Sequence, residues 1–296
     1  MDTRLLRSFL AVVRTGGITT AAAELGFVQS TVTTHVQALE RLTGTPLLDR
    51  HPGGVSPTHA GTLLASRAEQ ILDLEDRMLA ELTADAERPA GPVRLCAPES
   101  VCAYQLAPLL PKLRERFPDV DLALFPADTR TALTAIADRR ADLAVTLEPS
   151  VNTPQVDVVD LGIQELSLVA PATTPLPRDR PVAPTELAAT GVLLLEEGCA
   201  YSDELAALIA AAGAPVTRPR FGGVETVKRC VAAGLGVALL PTVTVADELA
   251  DGRLVRLRPP DLAEQRLWLL RPRSRWVSPA VQAVHTLLSE SVMPAS

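Results

Sequence analysis

The sequence has few of the residues that catalytic and metal sites use. Three of its four histidines, His35, His51 and His59, lie near the N-terminus, and only His285 lies elsewhere. The four cysteines have no CxxC spacing, so neither a zinc site nor a disulfide framework is indicated. No GxSxG, HExxH, P-loop or GxGxxG fingerprint occurs. We therefore expect no metal, no cofactor and no enzyme activity, although lysine or carboxylate chemistry stays open.

Long apolar runs and an N-terminal targeting pattern are also missing. No run approaches the ~20 apolar residues of a membrane span, and no basic segment precedes an apolar stretch with a cleavage site. We therefore expect a soluble, cytoplasmic protein with reduced, mostly buried cysteines. The formal net charge is -7, but residues 1–60 carry five Arg against four acids. This least acidic part of the chain permits contact with nucleic acid without demanding it.

Residues 1–58 have the pattern of three short helices followed by a segment rich in Pro and Gly. The third helix, predicted from Gln29 to Leu42, places Val32, Val36 and Leu39 on one face. Its outward residues are polar: Gln29, Ser30, Thr31, Thr33, Thr34 and His35. The next segment, GTPLLDRHPGGVSPTHAG, predicts a two-stranded wing or a tight loop.

A long helix is predicted from Thr58 to about Glu87. Leu64, Ile71 and Met78 recur every seven residues, and other apolar residues flank this line: Ala68, Leu74 and Leu82. An isolated helix has nowhere to bury such a line, so the pattern predicts pairing with a second copy of the chain. The ERPAGP stretch that follows breaks the helix and predicts a hinge.

The remainder of the chain alternates short apolar runs with helical patterns. Runs such as VRLCA, VDLALF and LSLVAP favour a mostly parallel sheet that is covered on both faces. The number of helical segments favours two α/β lobes over one. Such lobes bind ligands beside the loops that leave the carboxyl ends of strands.

Two separate stretches match the pattern of one known family. AAAELGFVQSTVTTHVQALERLTGTPLLDR resembles the helix-turn-helix of LysR-type transcriptional regulators. The matching residues are Ala21, Ala22, Leu25, Gln29, Ser30, Thr33, Val36, Leu39, Glu40, Gly44, Leu47, Leu48 and Arg50. CVAAGLGVALLP, at residues 230–241, is similar to a turn and strand of the family's effector-binding region. RFPDVDLALF, RRADLAVTL and EEGCAYSDEL also resemble family segments, so the resemblance spans the whole chain in order.

This resemblance implies an α plus α/β protein: a winged helix-turn-helix DNA-binding domain over 1–58, a linker and dimerisation helix over 59–88, and an effector-binding domain over 89–296. The last part is expected to have two lobes of the periplasmic-binding-protein type, lobe I at about 91–161 and 267–296 and lobe II at about 162–266. The implied function is sequence-specific transcriptional regulation, with binding to double-stranded promoter or operator DNA and control by a small-molecule effector. The family's usual assembly is a tetramer of two dimers. The alternative is a cytoplasmic small-molecule sensor or carrier whose helical N-terminus serves only dimerisation.

The outward residues of the third helix are candidates for DNA contact. In a helix-turn-helix, the second helix lies in the major groove with its N-terminal residues facing base edges. Gln29 can bridge adenine N6 and N7, and the hydroxyls of Ser30, Thr31 and Thr33 can bond bases or phosphates. The methyl groups of Thr31 and Thr34 can contact thymine, His35 adds another polar group, and the N–H groups at the helix start can seat a phosphate.

Two residues of the predicted wing, Arg50 and His51, are candidates for contact with the DNA backbone or minor groove. Arg50 matches the family pattern. The chain departs from that pattern at Thr34, where many members have Arg, and at Val28, where Ser is common. The alternative is an amphipathic helix whose polar face is only solvated.

The candidate effector residues follow predicted strands or lie at helix starts. By resemblance they line a cleft between the lobes: Glu99, Ser100, Val101, Asp128, Thr129, Gly198, Cys199, Ala200, Tyr201, Ser202, Val224, Glu225 and Thr226. Hydroxyl groups and helix N–H groups favour carboxylates or phosphates, whereas the three acids bring negative charge. Ser202 stands where an Arg often follows the aromatic residue, which weakens an Arg clamp for an anionic effector. Alternatively, Ser100 and Thr129 are only helix N-caps.

Cys199 lies in the segment where the family's peroxide-sensing members carry a reactive cysteine. Those members have a second cysteine nine residues later, at the position of Leu208 in this chain. No Lys, Arg or His lies near Cys199 in the sequence to lower its pKa. We therefore expect Cys199 to be structural and not a redox sensor.

Overall fold

The computed structural model describes residues 2–51, 54–83, 88–213, 220–273 and 275–291. The chain divides into two compact units, residues 1–84 and 85–296, each with its own hydrophobic core. Within the described residues, no helix is long and apolar enough to cross a membrane.

The first unit contains short helices and a β-hairpin. Its elements are α1 (Thr3–Thr15), α2 (Ile18–Leu25), α3 (Gln29–Thr43), β1 (Leu48–His51), β2 (Gly54–Pro57) and α4 (His59–Thr83). α1, α2 and α3 each end at a left-handed glycine, Gly16, Gly26 and Gly44, where a side chain would strain the backbone. The two-stranded wing expected from the sequence is the antiparallel pair β1–β2, in which Asp49 lies opposite Ser56.

Part of the apolar line on α4 is buried inside the first unit. Ala68 and Leu72 are buried, and Leu64 packs in the same cluster, together with Leu6 and Phe9 of α1. The expectation that the whole line faces a second copy is therefore wrong for Leu64 and Ala68, because α1 covers that end of the helix.

The later part of the line stays exposed. Ile71, Leu74 and Met78 are 38%, 66% and 50% exposed. These three side chains form what we call the exposed α4 face. The side chain of Leu82 and the predicted helix end at residues 84–87 lie outside the described residues.

The second unit alternates strands and helices. In chain order they are β3 (Gly91–Ala97), α5 (Glu99–Val101), a π-helical segment (Cys102–Leu106), a 3₁₀ turn (Ala107–Leu109), α6 (Leu110–Arg116), β4 (Val120–Pro126), α7 (Thr129–Ala137), β5 (Leu143–Glu148), β6 (Val156–Ile163), β7 (Leu166–Pro171), α8 (Pro184–Thr190), β8 (Leu194–Leu195), α9 (Ala200–Ala211), β9 (Arg220–Phe221), α10 (Val224–Ala232), β10 (Ala238–Pro241), a second 3₁₀ turn (Thr242–Thr244), α11 (Ala246–Ala250), β11 (Leu254–Leu257), β12 (Arg266–Pro272) and α12 (Pro279–Ser291). Two sheets, described next, divide this unit into two lobes.

The first lobe is built on a five-stranded sheet in the order β4-β3-β5-β12-β6. β3 is parallel to β4 and β5, whereas β12 is antiparallel to β5 and β6. β4, β3, β5 and β6 therefore run in the same direction, which confirms the prediction of a mostly parallel sheet for this lobe. β12 is the exception, because it returns from the second lobe in the opposite direction. The central strand β5 is buried from Leu143 to Leu147, as a strand covered on both faces should be.

The second lobe is built on a three-stranded sheet in the order β10-β7-β11, with both outer strands antiparallel to β7. A short parallel pair, β8–β9, accompanies this sheet, and α10 packs against β7 and β10. Four elements of this unit are not predicted by the sequence patterns: β6, β11, α8 and α11. β6 is an edge strand in which aspartates interrupt the apolar residues, and the other three have only four to seven residues each.

Two chain segments connect the lobes, one between β6 and β7 and the other between β11 and β12. They lie side by side, since the Gln164 N–H donates to the Gln265 carbonyl oxygen at 2.8 Å. Both residues are buried. We call this pair of segments the lobe crossing.

Candidate functional site

The polar face of α3 is held outward by the packing of its other side. Val32, Val36 and Leu39 are buried against the first unit's core. On the opposite side, Gln29, Ser30 and Thr34 are exposed, and Thr31, Thr33 and His35 are half-buried. All six predicted residues therefore lie outside the buried side of the helix, and four of them, Ser30, Thr31, Thr34 and His35, line one shallow depression.

The threonine hydroxyls on this face are bonded to their own helix. Thr33 Oγ1 donates to the Gln29 carbonyl oxygen and Thr34 Oγ1 to the Ser30 carbonyl oxygen, both at 2.9 Å. This is the usual bond of a threonine to the preceding helical turn. It fixes the hydroxyl protons inward, so these side chains offer oxygen lone pairs and methyl groups to a ligand.

His35 is positioned by neighbours in other helices and loops. Its Nδ1 lies 2.7 Å from Ser8 Oγ, and its ring meets the Phe27 ring edge-on at 5.8 Å between centroids. His35 also lines a shallow depression with Ser30, Thr31 and Thr34. One ring nitrogen is therefore engaged within the unit, which leaves the other for an external contact.

The two predicted wing residues lie on β1. Arg50 pairs with Val55 and His51 with Gly54 in the hairpin. His51 is exposed. The side chain of Arg50 lies outside what the structure describes, so its contact remains a prediction.

A cavity of about 360 Å³ lies between the two lobes of the second unit. Its wall includes nine of the predicted effector residues: Glu99, Ser100, Asp128, Thr129, Gly198, Cys199, Ala200, Tyr201 and Val224. They follow β3, β4 and β8 or begin α10, so strand ends and helix starts converge here.

Two predicted effector residues are buried behind the cavity wall. Val101 is 1% exposed and belongs to the hydrophobic core. Ser202 is 3% exposed, and its Oγ accepts a hydrogen bond from the Leu195 N–H at 2.9 Å. Both residues follow a wall residue in a helix, and a step of one residue in a helix rotates the side chain to a different face.

Two further predicted residues, Glu225 and Thr226, lie on the exposed side of α10 and not on the cavity wall. Glu225 is hydrogen bonded to Tyr104 and Lys228. Only the first residue of this helix, Val224, reaches the cavity.

Nine further residues complete the wall and were not predicted from the sequence: Pro98, Pro126, Ala127, Thr131, Leu147, Leu195, Glu196, Gly222 and Gly223. Most flank residues that were predicted, because a loop lines a cavity with consecutive residues. Leu147 ends the buried strand β5, and no feature of the sequence alone assigns it to the wall.

Ser100 and Thr129 do not cap the helices that begin at the cavity. Asp128 caps α7, since its Oδ1 accepts from the Thr131 N–H at 2.6 Å. Thr129 instead bonds through its side chain to Glu148, and Ser100 is 5% exposed inside α5. The interpretation of Ser100 and Thr129 as N-caps is therefore wrong.

The charged groups on the cavity wall are all acidic. They are Glu99, Asp128 and Glu196, and no described wall residue is Lys, Arg or His. Within the described chain, Glu99 Oε2 is buried and has no hydrogen-bond partner. Burial raises the pKa of the nearby Glu148; the Thr129 hydrogen bond opposes this, and the charge of Asp128 adds to it.

Cys199 and Tyr201 form the deep part of the wall and stay protonated. Burial raises the pKa of the Cys199 thiol to about 12, and the charges of Glu196 and Asp203 act in the same direction. Burial likewise raises the pKa of the Tyr201 phenol well above its ordinary value. Neither group supplies negative charge or a nucleophile at neutral pH.

A polar cluster beside the cavity joins the two lobes. The sequence patterns do not predict it. Lys228 Nζ donates to Tyr104 OH at 3.0 Å and to Glu225 Oε1 at 2.9 Å, and lies 3.1 Å from Glu248 Oε1. Burial lowers the pKa of Lys228, but its hydrogen bonds to Tyr104, Glu225 and Glu248 outweigh that effect and raise it. We call these four residues the lysine cluster.

No group of three or more His, Cys, Asp or Glu side chains within the described ranges is placed to hold a metal ion. The site therefore consists of two separate surfaces, a polar helix face in the first unit and an acidic cavity in the second.

Both units match models of known protein families. The model of the bacterial regulatory helix-turn-helix proteins of the lysR family matches residues 3–62, and that of the LysR substrate binding domain matches residues 86–292. The HTH-type transcriptional regulator GltR of Bacillus subtilis is 31% identical over 255 residues, which cover 86% of this chain and 84% of GltR.

Solved structures of full-length regulators share the fold. A full-length OxyR variant from Pseudomonas aeruginosa has a TM-score of 0.71 at 21% identity, covering 100% of this chain and 96% of that chain. Full-length CbnR in complex with its target DNA has a TM-score of 0.53 at 20% identity, covering 99% and 100%.

Proposed function

This chain belongs to the LysR family of bacterial regulatory helix-turn-helix proteins, and we propose that it contacts DNA through α3 and the wing and binds its effector in the cavity between the lobes. It is a DNA-binding transcriptional regulator with an effector-binding domain. The observation that carries the assignment of the DNA site is the accessible row of polar residues on α3.

The polar face of α3 has the chemistry of a major-groove reader. Gln29 is exposed at the first turn, where side chains of a recognition helix reach base edges. Its amide can donate to adenine N7 and accept from adenine N6. Ser30, Thr31, Thr33, Thr34 and His35 would complete this surface with oxygen, methyl and ring-nitrogen contacts. Val28 leaves the helix start without a side-chain cap, which suits a phosphate there.

Positive charge for the phosphates would come from the wing. Arg50 is the family-matched residue and His51 is exposed beside it on β1. Because few phosphates are neutralised per copy, each module should bind weakly and with a modest salt dependence.

Several copies must then act together. The exposed α4 face supports a dimer, since Ile71, Leu74 and Met78 would be covered by a second copy. A dimer holds two recognition helices at a fixed spacing, which gives paired half-sites. We further propose the tetramer of two dimers that is usual for the family.

The effector would act by shifting the arrangement of the two lobes. Its binding site contains residues from both lobes, so a ligand that contacts both favours one arrangement over others. Where the arrangements also differ in their affinity for DNA, that preference couples effector binding to DNA binding. We propose that the chain catalyses no reaction. We also propose a cytoplasmic location, where the chromosome is accessible.

The proposal is tested with the full chain and the DNA upstream of its gene. We expect a gel shift that prefers this sequence over a scrambled one and weakens with added salt. Ligand binding without any sequence-preferring DNA binding would instead support the alternative of a small-molecule sensor or carrier.

A further inference from the structure

The cavity wall combines negative charge with an absence of basic side chains. Three carboxylates, those of Glu99, Asp128 and Glu196, line it, and among the described wall residues there is no cation to balance them. A bound carboxylate or phosphate would therefore meet like charges, which repel it in a site of low dielectric constant. The ligand is expected to supply the missing positive charge.

The helix starts at the cavity do not overcome this charge. The positive end of a helix dipole amounts to roughly half an elementary charge. The three longer helices that start here each carry an acid: Asp128 caps α7, Asp203 lies in the first turn of α9, and Glu225 lies in the first turn of α10. Asp203 is paired with Arg220 and Glu225 with Lys228, so the acid that directly offsets a helix start on the wall is Asp128. Asp203 Oδ2 also accepts from the Gly198 N–H at 2.8 Å, which occupies a backbone donor of the loop before α9.

A second observation comes from Glu99. Within the described residues its Oε2 is buried and no donor reaches it, although buried polar atoms are almost always paired. Glu99 lines the cavity wall, but its Oε2 is closed to the cavity, so this oxygen acts on a bound ligand through its charge. An unpaired carboxylate oxygen is expensive to bury and is best satisfied by a positively charged donor.

The carboxylates come from both lobes. Asp128 follows β4 of the first lobe, and Gly198 follows β8 of the second; a Cβ built on Gly198 would lie 3.2 Å from Asp128 Oδ2. The charges of both Glu99 and Glu196 act on Tyr201 and help raise its pKa, behind burial as the main cause. Carboxylates on opposite sides of the cavity can therefore share one small ligand.

We propose that the effector carries an ammonium or guanidinium group that is bound by Glu99, Asp128 and Glu196. This inference rests on the proposed function of the cavity as the effector site. Leu147, Leu195 and Val224 supply apolar wall for a short carbon skeleton. The volume of about 360 Å³ is at the small end of ligand sites, which suits a small amine, guanidine or amino acid.

The test is a thermal-shift screen of the full chain, followed by calorimetry. Small amines, guanidines and amino acids are each paired with the same skeleton that carries a hydroxyl group in place of the charged nitrogen; dicarboxylates form a third class. We expect stabilisation by at least one cationic compound, whose hydroxyl twin binds about ten-fold more weakly or not at all. The proposal is overturned if only anionic or uncharged compounds bind, or if no cationic compound does.

Variants locate the bound charge. Glu99→Gln and Glu196→Gln keep the side-chain shape and remove one carboxylate each. Both should lower the affinity for the cationic compound about ten-fold or more. Glu197→Gln is the matched control, because Glu197 is adjacent to Glu196 and exposed like it, but lies off the cavity wall. Melting curves without ligand establish that each variant is folded. Equal affinity in all three variants and the unchanged chain contradicts the proposal.

The two proposals fail in different ways. If an anionic compound binds the chain and alters its gel shift, the proposed function stands and the inferred ligand charge is wrong. If cationic compounds bind but the chain shows no sequence-preferring DNA binding, the ligand charge is right and the proposed function is wrong.

Discussion

Lys228 Nζ lies 3.0 Å from the hydroxyl of Tyr104, so a buried ammonium group of the second lobe is hydrogen bonded to a helical segment of the first. The same nitrogen contacts Glu225 and Glu248. The lysine cluster is thus a direct polar connection between the lobes at the edge of the cavity, four residues from Val224 on the cavity wall.

We expect Lys228→Met to destabilise the chain by about 2–4 kcal/mol, because it leaves the largely buried carboxylate of Glu248 without its nearest cation. Urea unfolding of the full chain measures this. The control is Lys112→Met, which removes the only other lysine, an exposed one, and should change stability by less than about 0.5 kcal/mol. Similar unfolding midpoints for the two variants would show that the lysine cluster adds nothing to stability.

The exposed α4 face should be an interface. Leu74→Glu would place a charge in the interface from each of the two copies. We expect the dissociation constant of the dimer to rise about 100-fold. Sedimentation velocity and the gel shift both report the loss. Leu235→Glu is the control, since Leu235 is 59% exposed in the second unit. An unchanged dimer in Leu74→Glu would place the interface elsewhere.

Gln29→Ala should relax the preference at one base position at a cost of about 1–3 kcal/mol there. Binding to a set of single-base operator variants measures this. Gln37→Ala changes the same residue type on the same helix, two turns beyond the recognition start, and should leave the preference intact. A uniform loss of affinity over all sequences would refute the base contact.

Arg50→Ala should weaken binding to all DNA sequences alike and reduce the salt slope by about one. Titrations at several salt concentrations measure both quantities. Ser56→Ala, on the partner strand β2 and outside the predicted contacts, provides a comparison for general damage to the wing. A selective effect at one base pair would instead make Arg50 a base reader.

Cys199 should be chemically inert in the folded chain. With a pKa of about 12, only about one thiol in 10,000 is ionised at pH 8, so alkylation by iodoacetamide should be very slow. Mass spectrometry before and after unfolding in urea gives the comparison within one sample. Rapid labelling of the native chain at Cys199, or its oxidation by dilute peroxide, would restore the redox-sensor interpretation.

Glu148 should make stability depend on pH. Because burial raises its folded-state pKa above the ordinary 4.5, the folded chain holds this proton more tightly than the unfolded chain does. Its contribution is therefore present at low pH and is lost as the pH rises above about 4.5. Glu148→Gln should lose less stability than the unchanged chain between about pH 4.5 and pH 8 in urea titrations. Glu197→Gln, at an exposed site, should behave like the unchanged chain.

Local patterns predicted the first unit well because its helices have clear apolar spacing and glycine ends. The spacing of Val32, Val36 and Leu39 alone identifies the outward face of α3. The same reasoning failed on α4, where the partner of Leu64 and Ala68 is α1 of the same chain. A periodic apolar line shows that a helix is covered, but it does not say by what.

The cavity was predicted only in part because its wall depends on contacts between distant segments. Family resemblance located the segments around Ser100, Asp128 and Tyr201. It did not reveal that Ser202 turns inward to Leu195, or that Leu147 faces the ligand space. The direction of β12 also required the fold, because an apolar strand has the same sequence pattern whichever way it runs.

The lobe crossing has a mechanical consequence. Its two neighbouring segments are joined by the backbone hydrogen bond from Gln164 to Gln265, which is the arrangement of a two-stranded hinge. We expect this pair to resist sliding of one lobe past the other more than it resists rotation about the crossing. A molecule that contacts both lobes would then act mainly on the angle between them.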